Sequence, residues 1–76
     1  MKKTIDYVVN KHAPWSAKEV MYLYARNTPH VYAEFEVNEI FVTIDNVKYR
    51  LTKWGIRPDV FNDECEVVSL YLEAIE

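Results

Sequence analysis

Between Val31 and Lys53 apolar and polar side chains alternate through VYAEFEV, IFVTI and VKYRLTK, and the runs are separated only by Asn38-Glu39 and Asp45-Asn46. Side chains on a strand point to opposite faces in turn, so this pattern demands an antiparallel meander with one apolar face. Two-residue turns at both breaks place Val37 opposite Ile40, Phe35 opposite Val42 and Ala33 opposite Ile44. They also place Ile44 opposite Val47, Val42 opposite Tyr49 and Ile40 opposite Leu51. All of these residues then share one face. Tyr32, Glu34, Glu36, Phe41, Thr43, Lys48, Arg50 and Thr52 share the other. A slip of one residue would mix the sets, so the pattern resists it. In this register Glu36 and Arg50 flank Phe41, and Glu34 and Lys48 flank Thr43, which adds favourable cross-strand pairs.

A three-stranded meander with strands at about 31–37, 40–44 and 47–53 needs a cover for its apolar face. Trp15-Ser16-Ala17-Lys18-Glu19-Val20 supplies the start of one. Ser16 has the chemistry of an N-cap, Glu19 completes a capping box, and Trp15 with Val20 forms a hydrophobic staple. The helix is expected over about 16–27, with Val20, Leu23, Tyr24 and Ala17 or Met21 as its buried stripe. Arg26 complements its C-terminal dipole and Pro29 stops it. The run at 4–9, with β-branched and aromatic residues, reads as a further strand, although Ile5, Val8 and Val9 also suit a short helix. Trp54 to Asp59 reads as a connection, with a positive φ at Gly55, the only glycine. For the last segment, Asn62, Glu66, Ser69, Glu73 and Glu76 fall four, three, four and three apart. That spacing makes one polar stripe on a helix over about 63–75. The expected fold is α+β: one small domain, residues 1–76, of a meander under two helices.

Half of the 76 residues are hydrophobic and one is cysteine, Cys65. A chain of this size supports one small core, and an internal disulfide is impossible. No apolar run approaches the roughly 20 residues of a membrane span, and no signal-peptide core follows Met1-Lys2-Lys3, so a cytoplasmic location without membrane contact is expected. Charge is divided along the chain. Up to Pro58, nine Lys or Arg stand against six acids; beyond it lie six acids and no base.

The residues offer little for catalysis. Cys65 has no activating neighbour, and His12 and His30 lack partners at metal-ligand spacing. One glycine cannot build a phosphate loop. Glu34 and Glu36 share a face but sit among Lys48 and Arg50, which marks them as surface ion pairs. No enzyme activity, cofactor or metal is expected. What remains is contact: abundant Tyr and Trp suit interface anchors, and an acidic end suits a basic partner surface. The leading expectation is a non-catalytic protein-binding module, by its size akin to the inhibitors and adaptors of phages and mobile elements. It would engage a basic protein surface through Asp59, Asp63, Glu64, Glu66 and Glu73, with Tyr32, Phe41 and Trp54 as aromatic contacts. The alternative is a single-stranded nucleic-acid-binding domain using the outer sheet face, with Tyr32, Phe41, Lys48 and Arg50. The acids among those residues disfavour it. An unpaired edge strand, Val31–Val37 or Val47–Lys53, would also allow a homodimer.

Overall fold

At Asp45-Asn46 the backbone takes φ values of 50° and 70°, the paired positive angles of the tight hairpin turn whose twist matches its strands. This turn joins two strands of a computed structural model that describes residues 1–75. The described residues form β1 (Lys2–Asn10), α1 (Ala17–Asn27), β2 (Val31–Glu36), β3 (Glu39–Ile44), β4 (Val47–Pro58) and β5 (Cys65–Ala74). The strands make one antiparallel sheet in the order β1-β5-β4-β3-β2. The fold is therefore α+β as expected, but with five strands and one helix.

The helix begins as its sequence dictates. Ser16 is extended and its Oγ accepts the Glu19 N–H at 3.2 Å, satisfying one of the orphan donors of the first turn. Val20 and Met21 are fully buried, pressed against β2 and β3. Around them lies one core of Ile5, Val31, Val42, Ile44, Tyr49, Val68, Leu70 and Leu72. Removing a side chain the size of Met21 or Leu70 from water contributes about 1.5–3 kcal/mol. The core therefore ties helix and sheet into one unit.

Four expectations are corrected. The segment over 63–75 is strand β5, not a helix. Its inner-facing Val68, Leu70 and Leu72 recur every second residue and are buried, and β1 and β4 hydrogen-bond to its two sides. A strand paired on both edges buries most of its length, so it reads as a nearly continuous apolar run, and such a run mimics a buried helix. Second, the β2–β3 turn lies at Val37-Asn38, not Asn38-Glu39. Glu36 pairs Glu39, and Phe35 pairs Ile40. The register has moved by two residues, so the faces are kept. Glu34 now flanks Phe41 opposite Arg50, and Tyr32 flanks Thr43 opposite Lys48. Neither Val37 nor Asn38 adopts a positive φ, so no left-handed residue was needed there.

Third, Trp54 to Pro58 is not a connection but the second half of β4, paired with β5 as far as Pro58 and Glu66. Consequently Val47–Lys53 is interior, and the sheet edges are β1 and β2. Fourth, Gly55 has no positive φ. It lies opposite Ser69, and a Cβ there would meet nothing within 4 Å. Gly55→Ala is therefore expected to stabilise the fold by about 0.5–1 kcal/mol, by removing backbone freedom from the unfolded chain. A lowered urea midpoint would show that the strand needs the glycine for another reason.

One irregularity matters for the surface. Between Leu51 and Lys53 the β4–β5 register shifts, so Leu51 pairs Leu72 and Lys53 pairs Tyr71, leaving Thr52 as the extra residue. Without this bulge, Lys53 would continue on the inner face. With it, Lys53 joins the outer face and Trp54 turns inward to meet Trp15 edge-on, ring centroids 5.4 Å apart.

Candidate functional site

The β4–β5 hairpin ends in residues 59–64, and this loop is closely held. The Asp59 N–H donates to the Cys65 carbonyl, Asn62 N–H to Asp59, and Cys65 N–H to Asn62. Two side chains add to this: Asp59 Oδ1 accepts the Phe61 N–H at 2.9 Å, and Asn62 Oδ1 accepts the Glu64 N–H at 2.9 Å. Such Asx turns are a standard use of Asp and Asn beside a turn. The β1–α1 loop anchors it further. Lys11 N–H donates to the Glu64 carbonyl, and His12 Nε2 lies 2.8 Å from Glu64 Oε2.

On this fixed backbone Val60 is 85% exposed and Phe61 95% exposed. Behind them Val8 and Val67 continue an apolar surface across the outer face, in a groove of about 340 Å³ also bordered by Arg57, Pro58 and Asp59. Single exposed apolar residues are ordinary, but a contiguous apolar projection on an ordered loop calls for a reason.

The acids of this end do not form one patch. Asp59 holds the loop and Glu64 faces His12, while Asp63 is exposed at the tip. Glu66 is half-buried opposite Val9 and Pro58. Glu73 lies at the far end of β5, between Lys2 and Arg50, about 27 Å along the strand from Cys65 at roughly 3.4 Å per residue. The aromatic candidates are equally dispersed. Tyr32 is 67% exposed on the edge strand β2, and Trp54 packs on Trp15 on the inner side. Phe41 is buried, its ring 4.7 Å beneath the Lys48 ammonium. Val60 and Phe61 were not singled out from the sequence. Their signal was an apolar pair flanked by Asp59 and Asn62, visible only once the segment is known to be a hairpin end.

Beside the groove, Asp6, Ser69 and Arg57 form a closed trio on the outer face. Ser69 Oγ donates to Asp6 Oδ1 at 2.6 Å and accepts from Arg57 Nη1 at 2.8 Å, and Arg57 Nη2 reaches Asp6 Oδ2 at 3.3 Å. The Ser69 hydroxyl is thereby fully committed, and no histidine adjoins it, so the trio is a clamp across β1, β5 and β4. The Ser69 hydrogen bond, helped by the Arg57 hydrogen bond and charge, holds the Asp6 carboxyl below its usual value of 3.8 against the opposing effect of burial. A lowered folded-state pKa stabilises the fold above the unfolded value, and that contribution vanishes as pH falls through the folded value. Acidification from about pH 5 to pH 2 is therefore expected to weaken the wild type more than Asp6→Asn. The Asp6 side chain is half exposed, so solvent screening keeps the difference small. Urea midpoints measured across that range check it, and parallel curves would count against the clamp.

Among the described residues no three His, Cys, Asp or Glu side chains converge to hold a metal ion. Cys65 is a half-buried free thiol. No helix among them is long and apolar enough to cross a membrane. No family model, curated protein or solved structure matches this chain.

Proposed function

We propose that this chain is a non-catalytic protein-binding module that docks through the end of its β4–β5 hairpin. The observation that carries this reading is Phe61, held almost wholly in solvent by a loop whose backbone is hydrogen-bonded at five of its seven positions from Asp59 to Cys65 as donor. A rigid aromatic knob binds with little further ordering, and aromatic anchors of this kind dominate interface energetics. The complementary partner has an apolar pocket for Phe61 and Val60. Basic groups at its rim would meet Asp63 and the neighbouring carboxylates. The acids act here as a rim around an apolar centre rather than as the binding surface itself.

Single-stranded nucleic acid on the outer sheet face is the weaker reading. Phe41 is sealed under Lys48, and Glu34, Glu36 and Glu39 crowd the β2 side, where they repel a phosphate chain.

A photoreactive benzoylphenylalanine placed at position 61 tests the proposal, with the same residue at Val37 as control. Val37 is 96% exposed at a turn of the sheet's other half. A discrete heteromeric adduct from position 61 alone, reduced by Asp63→Lys, supports docking through the hairpin. Equal adducts from both positions, or none, overturn it. An adduct of twice the chain's mass replaces the foreign partner with a second copy.

A further inference from the structure

We infer that the outer face at the opposite end of β5 holds a binding site for a phosphate-class anion. A trough of about 220 Å³ runs over Tyr71 between β1 and β4, bordered by Lys2, Lys3, Thr4, Thr52 and Lys53. The registers set its rows: Thr4, Tyr71 and Lys53 lie side by side, and Lys2, Glu73 and Arg50 form the next row.

Three features favour an anion. First, Lys2, Lys3 and Lys53 have no carboxylate oxygen within 4 Å among the described residues, whereas Lys48 reaches Glu34 at 3.7 Å. Lys2 and Lys53 thus stand on the outer face without a close counter-ion, while Lys3, in register with the inner-facing Leu72, only borders the trough. Glu73 is the one acid on the trough. It lies between Lys2 and Arg50, which offset it and leave the neighbourhood positive.

Second, the site depends on the β-bulge. The bulge alone brings Lys53 to the outer face, where its ammonium stands 5.0 Å over the Tyr71 ring. The extra residue, Thr52, donates its hydroxyl to the Tyr71 carbonyl at 3.1 Å and so fixes the distortion. Bulges commonly re-aim side chains at binding sites.

Third, the volume selects the ligand's size. It lies below the roughly 300–1,000 Å³ of pockets for drug-sized molecules, but it accommodates one tetrahedral anion. Lysines bind such a group as point charges, with the Thr4 hydroxyl as a neutral donor. The site lies at the other end of the sheet from Phe61 and stands or falls independently of it.

Inorganic phosphate is the probe, titrated into nitrogen-15-labelled protein at constant ionic strength with chloride as the balancing anion. Saturable shifts confined to the amides of residues 2–4, 52–53 and 71–73 are expected. Lys53→Gln is expected to weaken binding about fivefold, and Lys48→Gln to leave it unchanged. Two further arms separate the sources of the phosphate. Tighter binding of a nucleoside monophosphate assigns it to a free phosphomonoester, and tighter binding of a short oligothymidylate assigns it to a nucleic-acid strand. Both outcomes support the site. Linear shifts, shifts spread over the whole surface, or identical responses of the two lysine variants overturn it.

Discussion

Leu70→Ala should remove a large share of the stability of this protein, about 2–5 kcal/mol. Leu70 is fully buried at the centre of β5, paired with Ile5 on one side and Trp54 on the other. Deleting its side chain loses transfer free energy and leaves a cavity that strands held on both sides cannot readily close. A domain of 76 residues has a total stability of roughly 4–11 kcal/mol, taking about 0.05–0.15 kcal/mol per residue. The variant is therefore expected to lie near the folding threshold, as urea denaturation followed by circular dichroism would report. A short alanine series makes the test specific to the strand. Val68, Leu70 and Leu72 should all be costly, whereas Tyr71, partly exposed on the outer face, should cost less than about 1 kcal/mol. A period of two is the signature of β5. Greater losses at Val67 and Tyr71 than at Val68 and Leu72 would mean a helical segment and refute this sheet.

That period was hidden in the sequence for a physical reason. In the meander, one face is covered and the other is wet, so apolar and polar residues alternate and β2, β3 and the first half of β4 can be read directly. The Asp45-Asn46 turn was legible because its residues tolerate positive φ. The helix start was legible because Ser16 must cap it. β5 has a different environment. Its outer face is closed at Ser69 by Asp6 and Arg57, residues 63 and 12 positions away. A polar residue buried by such distant partners looks, from local spacing, like one more exposed position on a helix. The same blindness covers the bulge at Thr52, which depends on pairing with a strand not recognised as one. Both surfaces proposed for binding depend on β5, one at each of its ends. The acidic residues were visible, but their dispersal required knowing that Glu66 and Glu73 lie on opposite faces and far apart.

The consequence is sharpest at Phe61, where the same ten-residue stretch that contains the most costly position also contains one of the least. Phe61→Ala is expected to leave the urea midpoint unchanged within about 0.5 kcal/mol, because the side chain is 95% exposed and contributes little to the core. Against the partner captured at position 61, the same change should lower affinity about 30-fold or more, the effect of losing an aromatic hot spot worth about 2 kcal/mol. Separating the two readouts is what distinguishes an anchor from a structural residue. Asp63→Lys should act differently, slowing association and reversing its salt dependence while changing dissociation little, because a rim charge steers encounter. Asp59→Ala provides the third contrast. It removes the carboxylate that accepts the Phe61 N–H at 2.9 Å but leaves the aromatic ring in place. Its effect on affinity should therefore be smaller than that of Phe61→Ala and arise from the added cost of ordering the loop on binding. If Phe61→Ala binds as tightly as wild type while Asp63→Lys does not, charge rather than the aromatic knob is the contact, and the hairpin end would have to be reread as an acidic surface.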